Sequence, residues 1–142
     1  GGDDMQKASS KLKKNKTKIL GVTILTSLNN FQTKKYYNNQ NINQLVKKFA
    51  QNAKNNNLDG IVCSPLEIKT VRKIVGKKML IVVPGIRLEN NQKNKKDDQK
   101  RVLTPKEAIN LGANYLVIGR PIVESKNPLQ TLKQINKSII SK

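Results

Sequence analysis

The chain has 142 residues, with 28 Lys and Arg against nine Asp and Glu, a formal net charge of +19 and no His. That length suits one domain of ordinary size. The lack of His excludes His-ligated metals and Cys–His nucleophiles, and no apolar run approaches the ~20 residues that a membrane-spanning helix needs.

The charge is carried almost wholly by Lys; the arginines are Arg72, Arg87, Arg101 and Arg120. Asn is abundant beside it, as in "NNQNINQ" and "NNN". Lys and Asn rising together along the whole chain read as a compositional bias, and three Tyr, two Phe and no Trp offer few rings for stacking bases. Composition therefore argues against a dedicated nucleic-acid partner. The single cysteine, Cys63, cannot form an internal disulfide, which fits a reducing, cytoplasmic setting. Inside an apolar run it reads as a small core side chain. The chain opens on "GGDDMQKASSKLKKNK", with neither a first Met nor the pattern of a signal peptide, so a fragment is expected.

In chain order, "DMQKASSKLKK" reads as a first helix. Four short runs rich in Val, Ile and Leu follow: Lys18–Ser27, Leu58–Ser64, Lys78–Gly85 and Asn114–Gly119. They show little alternation, the pattern of parallel strands buried on both faces. Between them, "NINQLVKKFAQNAKNN" places Ile42, Leu45, Val46, Phe49 and Ala53 on one helical face. "SPLEIKTVRKIVG" opens with Ser64 as N-cap, Pro65 at the first helical position and Glu67 as a capping-box acid. Ile68, Val71, Ile74 and Val75 form its stripe and Gly76 ends it. "TPKEAINLG" repeats that grammar with Thr104, Pro105, Glu107 and Gly112. The last helix starts at Asn127-Pro128 and carries Leu129, Leu132, Ile135 and Ile139.

The order is a helix and then four strand–helix units, so the class is α/β with a parallel sheet. A (β/α)8 barrel needs eight strands and roughly 250 residues; the chain holds about half of one. A small doubly wound sheet is the alternative, but no GxGxxG follows the first strand, so a dinucleotide site has little support. In either fold ligands bind at the carboxyl ends of the strands. Those ends are Thr26-Ser27, Cys63-Ser64, Pro84-Gly85-Ile86-Arg87 and Gly119-Arg120-Pro121. Two of the four arginines lie there, and a guanidinium fork matches phosphate oxygens where an ammonium is only a point charge. Glycine beside it lets backbone N–H groups approach an anion.

The segments "VTILTS", "LDGIVCSP", "VPGIR…DQKRVLTPKEAI" and "GANYLVIGRPI…NP", in that order, resemble the carboxyl-terminal half of orotidine 5'-phosphate decarboxylase of the bacterial type. The resemblance covers essentially the whole chain. It implies strands five to eight of a (β/α)8 TIM barrel, with Gly1-Gly2 similar to the glycine pair after strand four. It implies that Thr26 hydrogen-bonds the pyrimidine and that Pro84 walls the base. Arg87 matches a residue on the substrate-phosphate side, and Gln99 one that bridges phosphate and pyrimidine. Gly119 and Arg120 match the backbone donor and guanidinium that hold the 5'-phosphate. Leu88 to Asp98 resembles a mobile lid. The sequence departs from the pattern at Asp97, where the family has Gly, and at Leu88, where Pro is common. The family uses no cofactor and no metal, forms a homodimer, and takes its catalytic lysine and aspartates from the end of strand three. No Asp-x-Lys-x-x-x-Asp pattern occurs here, so no catalytic residue is expected in this chain, which alone would be inactive. A related sugar-phosphate enzyme on the same barrel is a second reading, which "ILTS" and "DQKR" argue against. A different class of reading is a catalytically inactive remnant or a basic module that binds RNA or another polyanion.

Overall fold

The computed structural model describes residues 2–12, 17–38, 40–88 and 103–140. Four strands form one sheet: β1 (Leu20–Val22), β2 (Gly60–Val62), β3 (Leu80–Val83) and β4 (Tyr115–Leu116), all parallel and in the order β1-β2-β3-β4. The helices are α1 (Asp3–Lys11), α2 (Asn30–Tyr36), α3 (Ile42–Asn55), α4 (Ile68–Val75), α5 (Pro105–Asn110), α6 (Arg120–Val123) and α7 (Pro128–Ile140). The expected first helix is α1. One short helix, α2, was not expected.

Local chemistry explains where the helices begin. Asn29 and Gln32 cap α2 reciprocally: the Gln32 amide donates to Asn29 Oδ1 at 2.9 Å and the Asn29 amide to Gln32 Oε1 at 3.0 Å. Asn41 and Gln44 do the same for α3, both at 3.0 Å. Thr104 and Glu107 form the third box, on α5. At Ser64 the box is half made. The Ser64 amide donates to Glu67 Oε2 at 3.0 Å, while Ser64 Oγ is buried without a hydrogen-bond partner. The first turn there, Pro65–Glu67, is 3-10, and α4 follows it.

Helix ends are equally local. After α3, Asn57 takes φ 56°, the Leu58 amide donates to Ala53 O at 3.0 Å and the Asn57 amide to Lys54 O at 3.1 Å. After α5, Gly112 takes φ 107°, with Ala113 N to Ala108 O at 3.0 Å and Gly112 N to Ile109 O at 2.9 Å. Both are Schellman closures, one built on Asn and one on Gly.

Register divides the sheet into two faces. Gly21, Ile61 and Ile81 share one row and Val83 pairs with Leu116 in another; these rows face the helices. Ile61, Ile81 and Val83 are wholly buried there with Val46, Ala50, Ile68 and Val71. A Cβ on Gly21 would meet Leu58 and Ala53, so α3 approaches the backbone closely at that point. The opposite face holds Leu20, Gly60 and Leu80 in one row and Val22, Val62, Val82 and Tyr115 in the next. Gly60 has no room for a side chain, because a Cβ would lie 2.7 Å from Leu20 and 2.8 Å from Leu80.

The expectation that every strand is buried on both faces fails on this second face. Val22 is 61% exposed, Tyr115 57% and, just past β4, Val117 53%. The described residues supply one layer of helices and nothing opposite it. The expected stripe of α7 buries Ile135 but leaves Leu129 and Leu132 exposed. The strands are also shorter than the apolar runs, as in the first run, where β1 ends at Val22 and the residues beyond enter a turn.

Candidate ligand site at the carboxyl ends of the strands

Parallel pairing brings all four strand ends to one rim. The ladder continues beyond the strands proper: Thr23 N donates to Val62 O at 3.0 Å, Cys63 N to Val82 O at 3.2 Å and Val117 N to Val83 O at 2.9 Å. Thr26 lies at this rim, in a turn closed by Leu28 N to Leu25 O at 3.1 Å. It is half-buried, and Ser27 beside it is exposed.

At the end of β3, Pro84 is followed by Gly85 with φ 76°, a left-handed conformation that glycine adopts without a Cβ penalty. The chain turns there and buries Ile86 completely and Arg87 to 6% exposure. Arg87 Nη1 donates to Ile86 O at 2.9 Å. Ile86 pairs with Leu103 in an isolated parallel bridge, and Arg87 N donates to Leu103 O at 3.0 Å. The chain therefore leaves the rim after Arg87 and returns to the same place at Leu103. Gln99, and Leu88 to Asp98 apart from Leu88 itself, lie outside the described residues.

At the end of β4, Gly119 caps α6, and both Ile122 N and Val123 N donate to its carbonyl, at 2.9 and 3.1 Å. Open space surrounds the position a Cβ would take on Gly119, and both Gly119 and Arg120 are exposed. Packing among the described residues does not require glycine there. β3 and β4 are neighbours, so Pro84, Arg87, Gly119 and Arg120 share one stretch of rim, with Thr26 two strands away. Cys63 is buried, as expected of a core side chain. Among the described residues no group of three or more acidic, His or Cys side chains is placed to hold a metal, and no helix is long and apolar enough to cross a membrane.

The opposite rim has an organiser that the sequence reading missed. Arg72 Nη1 donates to Gly76 O at 2.6 Å and Met79 O at 2.8 Å, and Nη2 donates to Gly112 O at 2.6 Å and Asn114 Oδ1 at 2.7 Å. Asn114 Oδ1 also accepts from the Ile81 amide at 2.8 Å. Across the sheet, Asp59 Oδ2 accepts from the Ile19 amide at 2.8 Å. Desolvation by burial lowers the Arg72 pKa from its ordinary value, and Cys63 acts in the opposite sense. The available signal was an arginine in a chain that otherwise uses lysine.

A parallel sheet whose successive strands are joined by helices is the architecture of a (β/α)8 barrel segment. The chain belongs to the orotidine 5'-phosphate decarboxylase / HUMPS family, whose model matches residues 1–135. An orotidine 5'-phosphate decarboxylase of Coxiella burnetii (strain RSA 331 / Henzerling II) is 46% identical over 126 residues, which are 89% of this chain and 52% of that protein. One of Dictyoglomus thermophilum is 41% identical over 148 residues, covering 98% of this chain and 59% of the relative. Among solved structures, the Lactobacillus acidophilus orotidine 5'-phosphate decarboxylase matches with a TM-score of 0.79 at 28% identity, over 99% of this chain and 60% of that one. The fold is thus part of a (β/α)8 barrel, and the chain spans 52 to 59% of the length of these two curated relatives.

Proposed function

We propose that the chain supplies the phosphate- and pyrimidine-binding part of an orotidine 5'-phosphate decarboxylase, which converts orotidine 5'-phosphate to UMP in pyrimidine biosynthesis. The observation that carries this is the shared rim of Pro84, Arg87, Gly119 and Arg120 at adjacent strand ends, in a chain of this family. Arg120 and the Gly119 backbone grip the 5'-phosphate, with Arg87 on the same side and Pro84 against the base. Thr26 hydrogen-bonds the pyrimidine, and Gln99 bridges the two ends of the ligand. In the reaction the ring carbon–carboxylate bond breaks, carbon dioxide leaves and the electron pair stays on the ring carbon. A lysine from outside residues 1–142 then delivers the proton. This chain's part is positioning: energy from gripping the phosphate is spent on holding the reacting ring in place. The complete enzyme works without cofactor or metal, as a homodimer, in the cytoplasm.

The test is UMP affinity of the chain assembled with an amino-terminal half from the Coxiella burnetii relative. Removing one charge-assisted contact costs about 1.5–3 kcal/mol, so Arg120→Ala should weaken UMP roughly 10- to 100-fold. Lys133→Ala, on the exposed side of α7, should change little. Equal losses in the two variants would remove the phosphate assignment. Preference for a sugar phosphate lacking the pyrimidine would favour another activity of the same family.

A further inference from the structure

We propose that the outward faces of α3 and α4 form a docking surface for the phosphate backbone of a nucleic acid. α3 exposes Lys47, Lys48 and Lys54, α4 exposes Lys69 and Lys73, and the turn after α4 exposes Lys77 and Lys78. The two helices pack side by side, and Lys54 Nζ donates to Ile74 O at 2.8 Å, tying one to the other. Composition alone spreads the lysines along the chain; the fold sets five exposed ones on two neighbouring helices and two more in the turn that follows α4.

Neither α3 nor α4 contains an Asp or Glu. Glu67, at the start of this layer, is 8% exposed and held by the Ser64 amide. Asp3 reaches the carboxyl end of α3, where it accepts from Asn56 at 3.1 Å; Asp59 accepts the Ile19 amide, and Asp4, Glu107 and Glu124 belong to other elements. None of the seven lysines makes an ion pair with a described acid, whereas Lys18, outside these helices, lies 3.8 Å from Asp59.

The chemistry between the lysines selects the partner. The exposed positions of α3 that are not Lys are Asn and Gln, neutral groups that suit phosphate and sugar oxygens. Neither α3 nor α4 exposes a large apolar side chain, and a helix that binds a membrane surface needs such side chains to insert. The surface lies on the outside of the helical layer, not at the strand-end rim, so it stands independently of the proposed decarboxylase role.

The experiment is fluorescence anisotropy of a labelled single-stranded RNA against the full chain across a salt series. Two triple variants remove the same charge: Lys47→Gln with Lys69→Gln and Lys73→Gln, and, on three other helices, Lys11→Gln with Lys106→Gln and Lys133→Gln. All six side chains are exposed, and circular dichroism confirms matched folding. The α3/α4 variant should lose about tenfold or more in affinity, with a log–log salt slope shallower by roughly two units, at about 0.7 per lost contact. The control should keep most of both, and UMP should not compete. Equal losses in the two variants, no salt-dependent binding, or preference for phosphatidylserine vesicles over RNA would each overturn the proposal.

Discussion

Arg72 shows how much a single residue type can mean in a biased chain. Its guanidinium reaches three backbone carbonyls and Asn114 at once, joining the end of α4, the turn before β3 and the turn before β4. An ammonium cannot span acceptors on both sides. Arg72→Lys should therefore lower stability by on the order of 2 kcal/mol, read as a lower urea midpoint at unchanged m-value. An unchanged midpoint would show that water replaces those contacts without loss. The three other arginines are either near the proposed site or, for Arg101, outside the described residues. The rim arginines were legible in the sequence because strand ends were. Arg72 was not, since its partners are backbone carbonyls up to 40 positions away.

At the scale of elements, caps carry most of the information. Ser64, Thr104, Gly76 and Gly112 were readable because their chemistry is local, and the structure places them at helix boundaries. α2 was overlooked although Asn29 and Gln32 have the same spacing as Thr104 and Glu107. The Asn-rich background hid it: residues taken for drift are caps at Asn29 and Asn41, and a left-handed helix end at Asn57. Glu107 adds a pH dependence to its cap. Hydrogen bonds from the Thr104 backbone and side chain hold its pKa below the ordinary carboxylate value. A carboxylate with a depressed folded-state pKa stabilises at neutral pH, and that contribution disappears as pH falls through the folded-state pKa. The group is mostly solvated, so the effect is small. Glu107→Gln should flatten the acid limb of thermal stability between neutral and acid pH while leaving the slope above neutrality unchanged. An identical acid limb in both proteins would mean the cap does not discriminate charge.

At the scale of the molecule, the described residues form a sheet with one face covered. The parallel order and the barrel class were legible, because four apolar runs separated by helical patterns leave few other topologies. What the sequence could not show is which rows of each strand remain bare, since that depends on register: Val22 and Tyr115 lie in one uncovered row. Among the described residues β1 and β4 are the edge strands beside that row, a combination that favours association. The same bare face and edges are where further strand–helix units of a complete barrel would pack, so fold and function meet in one requirement. The direct test mixes this chain with the amino-terminal half of the Coxiella burnetii relative, then follows binding of a hydrophobic dye and release of carbon dioxide from orotidine 5'-phosphate. Under the proposed role the chain alone binds dye and releases no carbon dioxide, and the mixture loses the dye signal and gains decarboxylation that Arg120→Ala suppresses. Loss of dye binding with no decarboxylation, or decarboxylation indifferent to Arg120→Ala, would contradict it.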